Sequence, residues 1–440
     1  MARQTDVRNR AGQAKSVQNR ATKPVRGNRA SAAAAAPTPG QRFVNFVTDV
    51  AARAFRAQSR DFYMLLGVTA ILAVIGIVMV FSASYVDSLA SHSWAYTDGT
   101  HQFIFVVAGV ILLTFFSLVR ISWIERIILP IYGVFVVVQL SVFVIGKEVN
   151  GNKNWIPLPG GFSLQPSEFF KITLCLFLAW LIAKNQQDID DRNLWIKAAV
   201  MLVVPIGIIM VQRDMGTSII IVAAYVGLAV LAGLPGRLLA FTLVVGSVLG
   251  FLALRMGSSS RWPRIMAWMF PNNPDPLDYN WQQNHGVWAI AAGRWTGVGL
   301  GNSKMKWSWI PEIQSDFIFA IIGEELGLIG CLVIIALFII LINTLIRISM
   351  RTRDLFSKLF VQGVATWLAA QSLINIAVVL DLLPVLGVPL PLISSGGSSM
   401  LATMAAIGIV LAVERDNQAG HAVGFVPQRP RFATPVRSKR

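Results

Sequence analysis

Three carboxylates, Asp316, Glu324 and Glu325, stand at or within the apolar run of the stretch Trp307 to Gly330 (WSWIPEIQSDFIFAIIGEELGLIG). Asp316 marks the start of a long apolar run, and Glu324 and Glu325 lie inside it. A carboxylate within a membrane segment is costly and by default marks a functional site. One whose pKa is lifted by partial burial can take a proton from a hydroxyl at neutral pH. On a helix, Glu324 falls roughly 12 Å beyond Asp316 and within a quarter turn of it. Ala320, Gly323 and Gly327 share that face, and such a stripe of small residues lets another helix approach closely. The expected picture is an acid at the membrane surface, on the packed side of a helix, with a second acid buried below it. Glu324 and Glu325 point about 100° apart, so only one of them can face a cavity, and they read as structural. Asp316 also has the chemistry of a helix N-cap.

Other polar groups interrupt apolar runs. Glu168 and Lys171, three apart on one helix, are placed to form an in-membrane ion pair. Arg213 and Asp214 break a long apolar segment. Asp188-Ile189-Asp190-Asp191 has the form of a metal and sugar-nucleotide motif, but a solvated acidic turn is the better reading. Gly297-Val298-Gly299-Leu300-Gly301 has the wrong spacing for a dinucleotide fingerprint. His92, His101, His285 and His421 show no metal-ligand spacing. Cys175 and Cys331 sit in apolar runs and imply no disulfide framework.

The elements that position these groups follow from composition. Apolar residues make up 55% of the chain and charged residues 14%, the profile of a polytopic membrane protein. The fold expected is all-α, with about ten transmembrane helices at roughly 20 apolar residues per crossing. Eight are clear: Phe62–Tyr85, Gln102–Val119, Trp123–Ile145, Ser167–Ala183, Leu238–Leu254, Phe317–Ile346, Leu359–Leu380 and Ser398–Val413. The run Leu194–Gly233 is divided in two by Gln212, Arg213, Asp214 and Gly216. A large extracytoplasmic loop, residues 257–316, separates helices 7 and 8. The first apolar run follows a long basic arm and is long enough to span, so it does not read as a cleavable signal.

Residues 1–60 carry twelve Lys and Arg against Asp6 and Asp49, a disordered basic cytoplasmic tail that can lie on anionic lipid. Residues 415–440 form a second basic tail, around a transmembrane domain at 61–414. The arm lacks the interleaved aromatics of a nucleic-acid binder, and none is expected as partner. With both termini inside, Arg120, Arg126, Lys184, Arg192, Arg237, Arg347, Arg351, Arg353, Lys358 and Arg415 satisfy the positive-inside rule. The outer side still carries Lys147, Lys153, Arg213, Arg255, Arg261, Arg264, Arg294, Lys304 and Lys306. That excess suits an anionic ligand.

Four outward segments, read in order, resemble the SEDS family (shape, elongation, division and sporulation), over about Phe62 to Glu414. They are Asn150 to Ile156 with Gln165-Pro166-Ser167-Glu168 and Lys171, then Gln212-Arg213-Asp214-Met215-Gly216-Thr217. The third runs from Trp281 to Phe319, with Gly299-Leu300-Gly301-Asn302-Ser303 and Lys306-Trp307, and continues into Gly323-Glu324-Glu325-Leu326-Gly327. The fourth is Pro389 to Ser399. The Gly-Leu-Gly-Asn-Ser and Lys-Trp details are closer to the division branch than to the elongation branch. The chain departs from the family pattern at Asn154, Trp281, His285, Ser395 and the turn Ala291-Ala292-Gly293-Arg294.

The resemblance implies a peptidoglycan glycosyltransferase that polymerises lipid II at the outer face of the bacterial cytoplasmic membrane, at the division septum. It implies undecaprenyl diphosphate-linked glycan as co-substrate, and as partners a class B penicillin-binding protein and other divisome proteins. Asp316 matches the family's catalytic aspartate and would deprotonate the acceptor hydroxyl. Substrate contacts are expected at Lys153, Trp155, Gln165, Ser167, Glu168, Lys171, Arg213, Asp214, Gln282, Lys306, Glu325, Ser394, Gly396, Gly397 and Ser398. Lys153 and Arg213 are the first candidates for the diphosphate. The sequence names no cofactor and does not say whether a divalent cation, Mg or Mn, is required. A flippase for the lipid-linked precursor and a non-catalytic division scaffold are the alternative functions.

Overall fold

In lipid, a long apolar run satisfies its backbone groups only as a helix or in a closed barrel, and the computed structural model shows helices. It describes residues 59–90, 97–149, 152–159, 162–188, 191–240, 243–244, 246, 261–271, 279–307 and 313–422. The helices are α1 (Arg60–Ala90), α2 (Thr97–Leu118), α3 (Ile121–Ile145), α4 (Pro166–Lys184), α5 (Arg192–Val211), α6 (Met215–Leu231), α7 (Arg261–Met269), α8 (Trp281–Gly293), α9 (Ile318–Arg351), α10 (Leu355–Val379) and α11 (Gly397–Ala422). Among the described residues, eight helices are long and apolar enough to cross a membrane, and α6 is a shorter apolar helix. Of the helix expected at Leu238–Leu254, residues 238–240, 243, 244 and 246 are helical and the rest lies outside the described residues. Most of residues 1–60, and those from 423 onward, also lie outside them, and α11 runs past Glu414 to Ala422.

α4 and α11 are buried over most of their length and form the centre, while α3 exposes most of its surface. Aspartates begin three helices. Asp191 accepts from Asn193 N (2.9 Å), Asp214 from Thr217 N (3.1 Å) and Asp354 from Ser357 N (2.9 Å), each satisfying a backbone donor that the first turn leaves free. The acidic turn at Asp188–Asp191 thus ends in a cap. The loop after α3 is not wholly irregular: strands β1 (Lys147–Val149), β2 (Asn152–Pro157) and β3 (Ser163–Leu164) pair antiparallel in that order.

The apolar run that carries Glu324 and Glu325 departs from the expected straight helix. α9 breaks at Gly327 (φ 68°, ψ −169°), a conformation open essentially to glycine alone. The part after the break, Leu328 to Arg351, is about 36 Å long and crosses a bilayer without help from Glu324 or Glu325. At one end Asp61 pairs with Arg347 (3.0 Å) and Arg351 (2.7 Å). At the other, Ser82, about 32 Å along α1 from Asp61, donates to both Glu325 carboxylate oxygens at 2.7 Å. The two glutamates therefore sit at the end of the bundle opposite Asp61 and not midway along it, which corrects the picture of an acid buried below Asp316.

The small-residue stripe finds a partner other than a spanning helix. α8 runs beside Ile318–Leu326, so that a Cβ on Gly293 would collide with Gly323 O and one on Gly327 with Gly297 N and Trp295 O. The chain after α8 fills the break: Val298 N donates to Glu324 O (2.9 Å), Gly299 N to Glu325 O (3.1 Å), and Arg294 O accepts from Leu328 N (2.9 Å). Among the described residues of 257–316, expected as a loop, there are thus two helices and a segment wedged into α9.

Candidate active site

Asp316 lies half-buried in the turn just before α9, whose N-cap is Phe317 and not Asp316. Two contacts hold the turn in place. Ser395 N donates to Gln314 O (2.8 Å), and Asn375 Nδ2 donates to Asp316 O (2.8 Å) and to Val388 O (2.7 Å). Asp316 Oδ2 comes to 3.5 Å from where a Cβ on Gly387 would stand. Gly387 has φ 69°, so glycine both permits the turn and leaves room beside the carboxylate. Asn375 is about 30 Å along α10 from Leu355, so Asp316 lies at a depth comparable to Glu325, near the helix ends opposite Asp61.

Asp214 gathers the first two segments. Its Oδ2 accepts from Asn154 Nδ2 (3.0 Å), Gln165 Nε2 (2.7 Å) and Ser167 Oγ (3.3 Å), while Oδ1 caps α6. A buried carboxylate needs such donors to remain where it is. Gln165 N donates to Ser398 Oγ (2.9 Å), joining the first segment to the fourth. A Cβ on Gly216 would strike Leu386 O, which places the second segment against the same loop. Within that loop Ser394 Oγ accepts from Leu390 N (2.7 Å), and Ser394 O accepts from Gln102 Nε2 (3.3 Å).

Deeper in the bundle, Lys171 pairs with Glu168 (2.8 Å), donates to Gln371 Oε1 (2.9 Å) and lies 5.0 Å from the centre of the Trp367 ring. Gln371 Nε2 in turn donates to Pro389 O (2.8 Å). The expected in-membrane ion pair exists, and through Gln371 it supports the loop beside Asp316.

Residues 62–419 match the family of cell cycle proteins that comprises FtsW, RodA and SpoVE. The chain belongs to this family. It is similar to the probable peptidoglycan glycosyltransferase FtsW of Trichlorobacter lovleyi, 36% identical over 371 residues, 83% of this chain and 96% of that protein. It is 35% identical over 356 residues to the stage V sporulation protein E of Bacillus subtilis, covering 80% and 96% of the two chains. Among solved structures it resembles a chain of a peptidoglycan synthase complex that coordinates polymerization and crosslinking, with a TM-score of 0.68 at 25% identity, covering 82% of this chain and 99% of that one.

The four segments that carry the FtsW, RodA and SpoVE likeness are brought together here, but not every residue in them is open to a ligand. Trp155, Gly396 and Gly397 line a cavity of about 180 Å³ with His101, Gln102 and Phe105. Arg213 is exposed, with φ 66°, and Gln282 is half-buried at the start of α8. Lys153 Nζ donates to Phe143 O (2.7 Å). Lys306 is buried, faces Glu325 at 3.5 Å and donates to Gly301 O. Glu324 accepts from Ser303 Oγ and from Lys304 N (2.9 Å). Both glutamates close on the 303–306 loop, Glu324 onto Ser303 and Lys304 and Glu325 onto Lys306, because the segment wraps the broken helix end. Asn150, Gly151, Arg255, Pro311 and Glu312 lie outside the described residues.

Gln371 and Asn375 were not singled out in the sequence. Their signal was two amides four residues apart on one face of an otherwise apolar helix, a pattern that fixes helix contacts in lipid. Trp281 and His285, two departures from the family pattern, stack with ring centres 4.0 Å apart. Among the described residues no three His, Cys, Asp or Glu side chains come together as a metal site.

Proposed function

We propose that this chain is a peptidoglycan glycosyltransferase that polymerises lipid II at the outer face of the bacterial cytoplasmic membrane during septal cell-wall synthesis. The observation that carries the reading is a half-buried carboxylate, Asp316, at the end of the bundle opposite Asp61, its backbone tied by Asn375 and its turn tied by Ser395. Asp316 accepts the proton of the acceptor sugar hydroxyl as that oxygen bonds to the anomeric carbon of the donor. The bond from that carbon to the lipid diphosphate breaks, and undecaprenyl diphosphate leaves with the electron pair. Arg213, exposed in the turn beside Asp214, and the exposed Lys147, Arg294 and Lys304 bring positive charge that stabilises it.

The family membership and the relatives named as glycosyltransferases support this activity. A solved relative that coordinates polymerization with crosslinking supports a class B penicillin-binding protein as partner. Both termini are assigned to the cytoplasm, since the basic helix ends at Arg347, Arg351, Arg353 and Arg415 then obey the positive-inside rule. The test is the purified full chain given lipid II, alone and with the partner. Wild type is expected to form glycan polymer and Asp316→Asn none. Polymer formed undiminished by Asp316→Asn would overturn the assignment.

A further inference from the structure

At the end of the bundle opposite Asp316 lies a cleft of about 590 Å³, where α3 begins, α4 ends and α10 starts. Three cations line it: Lys184, Arg353 and Lys358. None of them is in an ion pair among the described residues. Two acids also line it, Glu125 and Asp354. The Asp354 carboxylate is turned onto its own helix, accepting from Ser357 N (2.9 Å) and Ser357 Oγ (2.7 Å). It therefore caps the start of α10, and the cleft keeps three side-chain cations against two carboxylates.

The surroundings specify the rest of the ligand. Lys184 stands 4.8 Å above the ring of Trp180, which also lines the cleft. This Trp–Lys pair closes the spanning segment Pro166–Lys184, where aromatic and basic side chains mark a headgroup boundary. On α3, Leu129 is exposed and lies one turn on from Glu125, on the same side of the helix. An occupant of this site has a negative head at the helix ends and apolar length along α3. Basic pockets between helices at the cytoplasmic rim of a membrane take lipid phosphates.

We infer that this cleft binds the phosphate head of an anionic phospholipid, with its acyl chains lying along α3. The site is separate from the polymerase reading and stands or falls without it.

The full chain in neutral detergent is titrated with phosphatidylglycerol or phosphatidylcholine and bound lipid is counted by native mass spectrometry. Wild type is expected to retain phosphatidylglycerol over phosphatidylcholine, and Arg353→Gln/Lys358→Gln to bind it about tenfold more weakly or worse. Lys184→Gln, at an exposed position on another helix, is the second variant should the double substitution fail to fold. Equal retention of phosphatidylglycerol by wild type and variants overturns the site. A third arm adds glycerol phosphate. Failure of this soluble head to displace the lipid supports a lipid ligand, and full displacement at comparable concentration overturns that assignment in favour of a free phosphate compound.

Discussion

Asn375 spends its one side-chain amide nitrogen on two backbone carbonyls, that of Asp316 at 2.8 Å and that of Val388 at 2.7 Å. A single buried side chain thereby sets the distance between the candidate base and the loop opposite it. Its removal tests whether that spacing matters. Asn375→Ala leaves two carbonyls unpaired and is expected to cost about 1–3 kcal/mol of stability. Polymer formation at saturating lipid II should fall at least about tenfold, the size of an effect on orientation. Thermal melting and polymer yield are measured together, and unchanged yield in a folded variant would remove Asn375 from the positioning of Asp316.

The buried pair Lys306 and Glu325 gives a second expectation. Each is almost fully enclosed, so removing one partner leaves a charge in a poorly solvated place. Lys306→Met alone is expected to destabilise by about 3–5 kcal/mol, whereas Lys306→Met with Glu325→Gln should recover most of that loss. Melting curves of the two singles and the double decide it. Additive losses would mean the pair is not coupled.

Gly327→Ala addresses the break in α9. A Cβ there meets Gly297 N and Trp295 O, and its φ of 68° with ψ of −169° is a region that costs a side-chain-bearing residue about 1–3 kcal/mol before any collision. The variant is expected to express poorly and to melt lower than Gly67→Ala, where nothing lies within 4 Å of the added carbon. Equal melting of the two would argue against the break.

Asp381 offers a pH dependence outside the spanning segments. Burial raises its carboxyl above the ordinary value of 3.8. A raised folded-state pKa means that ionisation disfavours the fold, so the stability tied to the neutral acid is complete below pH 3.8 and is lost as pH rises through the folded value. Asp381→Asn, which keeps a side chain suited to the observed φ of 59°, is expected to melt higher than wild type at pH 7. The gap should close as pH falls towards 4. A gap that widens on acidification would contradict the burial effect.

Asp214 serves as cap and hub at once, so Asp214→Ala should lose about 1 kcal/mol for the cap and more for the unpaired Asn154, Gln165 and Ser167 donors. Asp214→Asn, which still offers an oxygen, is expected to melt between the two. Melting of Asp214→Ala within error of wild type would deny the hub.

By itself the sequence determined the helical membrane fold, since apolar runs of spanning length leave the backbone few other ways to satisfy its hydrogen bonds in lipid. It also located the ion pair of Glu168 and Lys171, because three residues on a helix is a contact distance. The four outward segments were legible too, being local runs of polar and glycine residues. What the tertiary structure alone decided is how they meet. A period of 3.6 residues carries a helix straight through Gly327, and only the segment after α8, filling the break with its own backbone hydrogen bonds, turns it. That turn moved Glu324 and Glu325 to the rim, where they close on Ser303 and Lys306. Asn375 likewise gained its role from two carbonyls 59 and 13 residues away, contacts that no local spacing announces.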